Sequence, residues 1–277
     1  MTLERSWLLE QARREREAMG RSIQYTEPEH WEADSLLGGW LNRDIVAHLA
    51  ASDVAAAALV AGEPAIELDE YRKSLDGRPF TVDGLNAVVV GRRRREGFRD
   101  VALEWGRGAD LLLERASELS DRDWSTRMVA FVGGDLRIPY LIQSRMNEWW
   151  LHGEDLRAGV GLAPRREHPP IFAVNDMAVR MIPYGLAVAG MSFPGKSIRV
   201  KLEGAGGGTW HYGLAPHDAP GPGAAPDAVV EGGGYAFAMV AGRRVPAEDY
   251  LSSGGLIVGG DAELAETVLT HLRVFAV

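Results

Sequence analysis

The chain has 277 residues, enough for one large domain or two, and its 46% hydrophobic and 25% charged residues are typical of a globular protein with a substantial core. It has no cysteine, which excludes a disulfide framework, thiolate metal ligands and a cysteine nucleophile, and its net charge of −9 argues against nucleic-acid binding. The apolar stretches are interrupted by polar residues and look too short for a membrane span, and the N-terminus lacks a signal-peptide pattern. We therefore expect a cytoplasmic enzyme or binding protein without a membrane partner.

The first two thirds of the chain are predicted to be helical. Apolar residues recur at helical spacing over 3–19, 41–62, 84–119, from Pro139 to Gly159, and over 170–190, where Pro183 interrupts the pattern. Gly62, Glu63 and Pro64 are expected to end the second of these helices, and residues 120–136 are expected to form a loop rich in Asp, Ser and Gly.

The last third of the chain has a different pattern. Alternating residues predict strands at 196–204 and 207–214, followed by a strand and a short helix within 227–246. A last strand at 254–260 leads into a helix capped by Asp261. We therefore predict two domains: an up-down bundle of four or five helices over residues 1–192, and a small α+β domain over residues 193–277.

The segment NEWWLHGEDLRAGVG, residues 147–161, contains a pair of possible metal ligands. Glu148 and His152 are four residues apart, so they lie on one face of a helix. A catalytic zinc site usually takes three protein ligands and keeps an open position. Of the seven histidines, His48 is the one on the apolar face of another predicted bundle helix, and bundle sites are assembled from facing helices. His48, Glu148 and His152 would suit Zn²⁺, with Fe²⁺, Mn²⁺ and Ni²⁺ also compatible; the alternative is an ordinary salt-bridged or solvated helix face.

Several segments resemble one known family. They are GGWLNRDIVAHLA at 38–50, the E-x-x-x-HG-x-D pattern within 147–161, and the C-terminal segments VKLEGAGGGTWHYG, YAFAMVAGRR and GDAELAETVLTHLRVFA. In this order and spacing they are similar to the DinB-like, mycothiol-dependent maleylpyruvate isomerase family, which carries a C-terminal sterol-carrier-like domain. The resemblance covers almost the whole chain. Leu41 and Asn42 depart from the usual Thr/Ser–Val, and residues 63–90 match no motif of the family.

The resemblance implies that His48, Glu148 and His152 are the zinc ligands. Asp155 lies on the same predicted face as His152 and could orient its imidazole, and Asp44 could do the same one turn before His48. For both carboxylates the alternative is a role at the helix surface or cap. No obvious fourth protein ligand is present, although Asp155 or Asp44 could supply one.

Two arginines are candidates for substrate binding. Arg243 and Arg244 match a segment that, by the resemblance, lies over the bundle site, and a bidentate guanidinium suits a carboxylate. The alternative is a pair of surface arginines at a helix end. The run Arg92 to Arg95 is predicted to be a solvated helix face paired with acids, and the tryptophans 149 and 150 are predicted to be core residues.

The metal and the family together indicate a chemistry. Bound Zn²⁺ lowers the pKa of a coordinated thiol, and the thiolate could add to an electrophilic carbon; rotation and thiol expulsion would give isomerisation, and release of the adduct would give S-transfer. We expect a zinc enzyme that uses mycothiol or a similar thiol on a small, carboxylated substrate, as a monomer or homodimer. The alternatives are a thiol-independent metalloenzyme, such as a hydrolase or a rearrangement enzyme of natural-product biosynthesis, and a non-catalytic small-molecule-binding protein.

Overall fold

The computed structural model describes residues 3–132, 134–221 and 223–275. The chain forms two compact units, of which the first ends at Arg165 and the second extends from Arg166 to Phe275. The boundary expected from the sequence, between residues 192 and 193, lies inside the second unit. The difference arises from the helical segment 170–190, which the helical pattern alone assigned to the bundle.

The first unit consists of eight helices and one hairpin among its described residues. In chain order these are α1 (Arg5–Tyr25), α2 (Pro28–Trp31), α3 (Asn42–Ala61), α4 (Ile66–Ser74), α5 (Val82–Arg93), α6 (Phe98–Glu118), α7 (Asp121–Thr126), the antiparallel strands β1 (Met128–Phe131) and β2 (Gly134–Arg137), and α8 (Ile138–Gly159). The long helices α1, α3, α6 and α8 form the bundle, with α3 packed against α6 and α1 packed against α8. Their apolar faces supply most of the core of this unit.

Two predictions for this unit need correction. The helical pattern over 84–119 belongs to two helices, α5 and α6, because the backbone is extended at Gly97, the residue that caps the start of α6. The expected loop over 120–136 contains α7 and most of the β1–β2 hairpin. Other predicted ends are confirmed: Pro139 lies in the first turn of α8, and α3 ends at Gly62 in a left-handed conformation with φ of 78°.

Helix α3 is long enough and apolar enough to cross a membrane by length and composition, which corrects the expectation that the apolar stretches are too short. In the structure, 67% of its apolar window is buried inside the protein. Its buried residues include Asp44, His48 and Asp53. This combination is typical of the core helix of a bundle, where buried polar groups pair with one another.

Over its described residues, the second unit combines a mixed sheet with five helices. Its elements are α9 (His168–Arg180), α10 (Ile182–Val188), β3 (Ser197–Glu203), β4 (Gly208–Gly213), β5 (Ala228–Gly233), α11 (Gly234–Ala241), α12 (Ala247–Ser252), β6 (Leu256–Gly260) and α13 (Ala262–His271). The strand order is β4-β3-β5-β6, and only the central β3–β5 pair is parallel. Helix α9 packs against α11 and β4, and α10 packs against α13. These contacts place the two helices with the sheet.

The loop before β4 is fixed to α9 at one glycine. Gly206 has φ of +77°, and a Cβ atom built on it would lie 2.2 Å from Cγ2 of Ile171. The buried Asn175 donates from Nδ2 to the carbonyl oxygens of Gly206 and Gly234, each at 3.0 Å. Residue 206 must therefore be glycine for both the backbone conformation and the close approach of α9.

Candidate metal site

Asp44 fixes the start of α3, one turn before His48. Its Oδ2 accepts a hydrogen bond of 2.8 Å from the backbone N–H of Leu41, which caps the helix. The same carboxylate forms a bidentate ion pair with Arg94, whose Nε donates to Oδ1 at 2.9 Å and whose Nη2 donates to Oδ2 at 2.6 Å. Asp44 is therefore a capping residue that joins α3 to the end of α5, and the alternative in which it orients the His48 ring does not apply.

Helix α8 presents four charged or ionisable side chains on one face. Arg145, Glu148, His152 and Asp155 are separated by three, four and three residues, which corresponds to nearly three turns along a single side of the helix. His152 and Asp155 are buried, and the side chain of Glu148 is 15% exposed. This face is directed toward α3, because Glu148 contacts His48 and Arg145 contacts Asp53.

The structure brings the three predicted ligands together. His48 Nε2 lies 2.8 Å from Glu148 Oε2, and His152 Nε2 lies 3.9 Å from the same oxygen. One ligand atom from each residue lies within 4.8 Å of the others, and the two imidazole centroids are 5.4 Å apart. The half-buried Trp40 lies beside them, with its ring centroid 5.5 Å from that of His48.

Each imidazole is held through its other nitrogen. His152 Nδ1 lies 3.0 Å from Oδ2 of the buried Asp155, the partner expected from the sequence. His48 Nδ1 lies 3.0 Å from Oδ1 of Asn86, on α5. A hydrogen-bonded Nδ1 fixes the orientation of the ring and makes Nε2 the nitrogen that would coordinate an ion. Asn86 was missed because it lies within residues 63–90, which match no motif.

A buried charge pair lies behind Glu148 and was not predicted from the sequence. Arg145 Nε donates to Asp53 Oδ1 at 2.6 Å, and its Nη1 lies 3.2 Å from Glu148 Oε2. Trp149 Nε1 donates to Asp53 Oδ2 at 2.7 Å. These groups connect α3 to α8 through the interior of the bundle. A buried arginine on one helix needs an anionic partner, such as a buried aspartate on another helix. That requirement is the signal by which such a network could be found.

This network controls the charge of Glu148. Burial by itself would raise the pKa of the Glu148 carboxyl, but the positive charge of Arg145 and the contact with His48 outweigh burial and hold the pKa well below its ordinary value. Burial would lower the pKa of Arg145, and the carboxylates of Asp53 and Glu148 reverse this and raise it. Glu148 is therefore anionic at neutral pH, which is the charge state that a metal ligand requires.

The donor set fits a divalent metal ion. Two imidazole nitrogens and one carboxylate oxygen are the ligands of a catalytic zinc site with three protein ligands, and Fe²⁺, Mn²⁺ and Ni²⁺ accept the same donors. Among the described residues, Asp44 and Asp155 lie outside the group that could hold an ion, because Asp44 pairs with Arg94 and Asp155 supports His152. Three protein ligands leave room for an exogenous one.

The predictions for the tryptophans and the arginine run agree with the structure. Trp149 and Trp150 are both fully buried, as expected of core residues. Arg92 pairs with Glu67 and Glu70, Arg93 with Glu67 and Glu104, and Arg94 with Asp44. The one difference is that Arg93 is buried within its acidic partners, so the run is only partly solvated.

Arg243 and Arg244 lie in the second unit, directly after α11. Arg243 is exposed and has φ of 59°, and Arg244 is half-buried with Nη1 donating to the carbonyl oxygen of Gly242. Burial and the nearby charge of Arg243 lower the pKa of the buried Arg273, so a third arginine lies in this region. The role of Arg243 and Arg244 in binding a substrate stays a prediction.

Comparison with known proteins identifies the family. The family model described as the mycothiol maleylpyruvate isomerase N-terminal domain matches residues 12–157, more than half of the chain. The fold is similar to solved structures of the mycothiol-dependent maleylpyruvate isomerase and of a histidine-to-alanine mutant of it, each with a TM-score of 0.61, 18% identity, and coverage of 94% of this chain and 95% of that chain. No curated protein matches the chain. The resemblance inferred from the sequence is confirmed, as is the expectation of an enzyme: the chain belongs to the mycothiol maleylpyruvate isomerase N-terminal domain family.

Proposed function

We propose that this protein is a metal- and thiol-dependent isomerase that acts on a small, carboxylated electrophile of the maleylpyruvate type, with mycothiol as its cosubstrate. The observation that carries the proposal is the convergence of His48, Glu148 and His152 on one point between α3 and α8. Membership of the family supports the thiol and the substrate class. Zn²⁺ is the proposed ion because the donor set contains two imidazoles and one carboxylate.

The residues of the bundle would have distinct tasks in such an enzyme. His48 and His152 would bind the ion through Nε2 and Glu148 through a carboxylate oxygen. Bound there, a divalent ion would lower the pKa of a thiol at its open position. Asp155 keeps the His152 ring oriented, and Arg145 keeps Glu148 ionised and limits its rotation. The protein's part in the chemistry is therefore to hold an ion with an open position in a fixed orientation.

Recognition of the substrate is proposed for the second unit. Arg243 and Arg244 are the residues that we propose for its carboxylate, since a guanidinium forms two parallel hydrogen bonds with a carboxylate. The expected effect of Arg243→Ala or Arg244→Ala is a higher KM for the substrate with the metal content unchanged. A cytoplasmic location and a monomeric or homodimeric state stay predictions.

The metal site is tested first, by elemental analysis of the purified protein. We expect about one zinc ion per chain in the wild type and loss of the ion in His48→Ala and in His152→Ala. His30→Ala is the matched control, because His30 lies in the first unit but outside the ligand group. Full retention of metal in both ligand variants would overturn the site.

The thiol is tested next, with the metal-loaded protein. Isomerisation of maleylpyruvate is expected only with mycothiol present, and calorimetry is expected to show mycothiol binding that disappears in His152→Ala. A folded, metal-loaded protein that binds no mycothiol would favour the thiol-independent metalloenzyme. A small molecule retained with the same affinity after metal removal would favour the binding protein.

A further inference from the structure

The two histidines of the metal site have different partners at Nδ1. His152 faces the carboxylate of Asp155, and His48 faces the amide oxygen of Asn86, both at 3.0 Å. A carboxylate accepts a hydrogen bond and adds negative charge, whereas an amide oxygen accepts the same bond without a charge. The two rings are therefore held at the same distance from their partners, but only the His152 ring has a negatively charged partner.

The partners of the two ring nitrogens of His48 compete for its hydrogen, with Asn86 at Nδ1 and Glu148 at Nε2. An ion bound at Nε2 would take the lone pair of that nitrogen, so the ring hydrogen would then lie on Nδ1, where Asn86 Oδ1 can accept it. Without an acceptor at Nδ1, the neighbouring Glu148 oxygen, 2.8 Å from Nε2, favours the opposite tautomer with the proton on Nε2. That tautomer cannot bind a metal through Nε2.

The position of Asn86 is fixed by its helix. Thr81 caps the start of α5 through a bond from Gly84 N, and Leu85, Val89 and Val90 are buried on the helix face that packs with the bundle. At the other end, Arg94 holds the carboxylate of Asp44 at the start of α3. The helix that carries Asn86 is thus joined to the helix that carries His48.

We propose that Asn86 is a positioning residue that selects the metal-binding tautomer of His48 and, being neutral, makes His48 the weaker donor of the two imidazoles. The proposal rests on the proposed metal site. A carboxylate partner increases the basicity of a ligating imidazole, so Asp155 strengthens His152. A neutral partner on His48 leaves more positive charge on the ion, which favours ionisation of a thiol at the open position.

The test compares Asn86→Leu with Asn86→Asp in the full chain. Zn²⁺ affinity is measured by titrating the metal-free protein against a competing chelator. Loss of a partner outside the ligand set lowers metal affinity by about 10–100-fold, so Asn86→Leu is expected to bind Zn²⁺ more weakly by this factor and Asn86→Asp to bind it more tightly than the wild type. Asp155→Asn, which gives His152 an amide partner, is expected to bind more weakly.

Two further measurements separate positioning from general damage. Asn42→Leu is the control, because Asn42 is a buried asparagine of α3 that donates to the carbonyl oxygen of His30; its Zn²⁺ affinity is expected to stay within about threefold of the wild type. Because both ring nitrogens of His48 face acceptors in the wild type, the ¹⁵N chemical shifts of this ring in the metal-free protein are expected to show a larger share of the hydrogen on Nδ1 in the wild type than in Asn86→Leu, where only Glu148 accepts from the ring.

Unchanged affinity and unchanged His48 shifts in Asn86→Leu would overturn the proposal. If the wild type takes up no Zn²⁺, the proposed metal function fails; the ring shifts of the metal-free variants then decide by themselves whether Asn86 sets the tautomer. The two failures are therefore distinguishable.

Discussion

The buried pair of Arg145 and Asp53 provides the sharpest test of how the first unit is held together. The change Asp53→Asn keeps the size of the side chain and removes its charge. Asp53 uses both oxygens, one for Arg145 Nε at 2.6 Å and one for Trp149 Nε1 at 2.7 Å. An asparagine offers one acceptor oxygen, so one of these two donors would face an NH₂ group.

The expected loss follows from the burial of both charges. The Arg145 side chain is 1% exposed and the Asp53 side chain 0% exposed, so removing the negative charge leaves the buried guanidinium with the carboxylate of Glu148, 3.2 Å from Nη1, in place of two anionic partners. Breaking a buried pair in this way costs about 3–5 kcal/mol of unfolding free energy. At about 2–4 °C per kcal/mol for a unit of this size, the Tm of the first unit should fall by roughly 6–20 °C.

The assay is thermal unfolding of the metal-free protein, followed by calorimetry and by circular dichroism. Asp121→Asn is the matched control. Asp121 accepts a hydrogen bond of 2.7 Å from Arg5, but its side chain is 99% exposed, and an exposed ion pair contributes only about 0.2–1 kcal/mol of unfolding free energy. If Asp53→Asn destabilised the protein no more than Asp121→Asn, Asp53 would be protonated in the folded protein. The reasoning about a buried ion pair would then be refuted.

Three further predictions concern other parts of the molecule. Glu148→Gln replaces an anionic ligand with a neutral amide and should weaken Zn²⁺ binding by about 100-fold or more in a chelator titration; a change under about threefold would exclude Glu148 as a ligand. Gly206→Ala should lower the unfolding free energy of the second unit alone by more than about 1–3 kcal/mol, measured as a lower Tm of that unit, because φ is +77° and the new methyl group meets Ile171 at 2.2 Å. The hydrogen bond from Lys196, followed by the one from Ser197 N, lowers the pKa of Asp227 below its ordinary 3.8. This stabilisation is present above pH 3.8 and is lost as the pH falls further, so the Tm difference between wild type and Asp227→Asn should exist at pH 7 and close toward pH 2; a constant difference would contradict it.

The sequence was sufficient for the three candidate ligands and Asp155, and insufficient for Asn86 and the pair of Arg145 and Asp53. Glu148, His152 and Asp155 lie on one helix, so their spacing alone places them on one face, and His48 lies in a segment with its own family pattern. Asn86 could not be found in this way, because its contact depends on which face of α5 packs beside α3. Helical periodicity shows that a helix has a buried face, but it does not identify the partner of that face.

The same limit explains the differences in the fold. Periodicity continues across the junction of α5 and α6, and a short turn over residues 94–97, which ends in the extended backbone of Gly97, divides the two helices. Helix α9 has an apolar face that would suit a bundle, yet its contacts are with α11 and β4. In both cases the local sequence is compatible with two arrangements, and tertiary packing determines which of them forms.

The origin of the ligands on two helices has a consequence for stability. His48 and Glu148 are 100 residues apart in the chain, so an ion bound between them would act as a cross-link that closes a long loop within the first unit. Free metal at about 100 times its Kd would add about 2.7 kcal/mol to the unfolding free energy of that unit, and none to the second unit as long as the ion binds only there. Chelation would then lower one thermal transition and leave the other in place, so unfolding of the first unit would report the cellular supply of the metal.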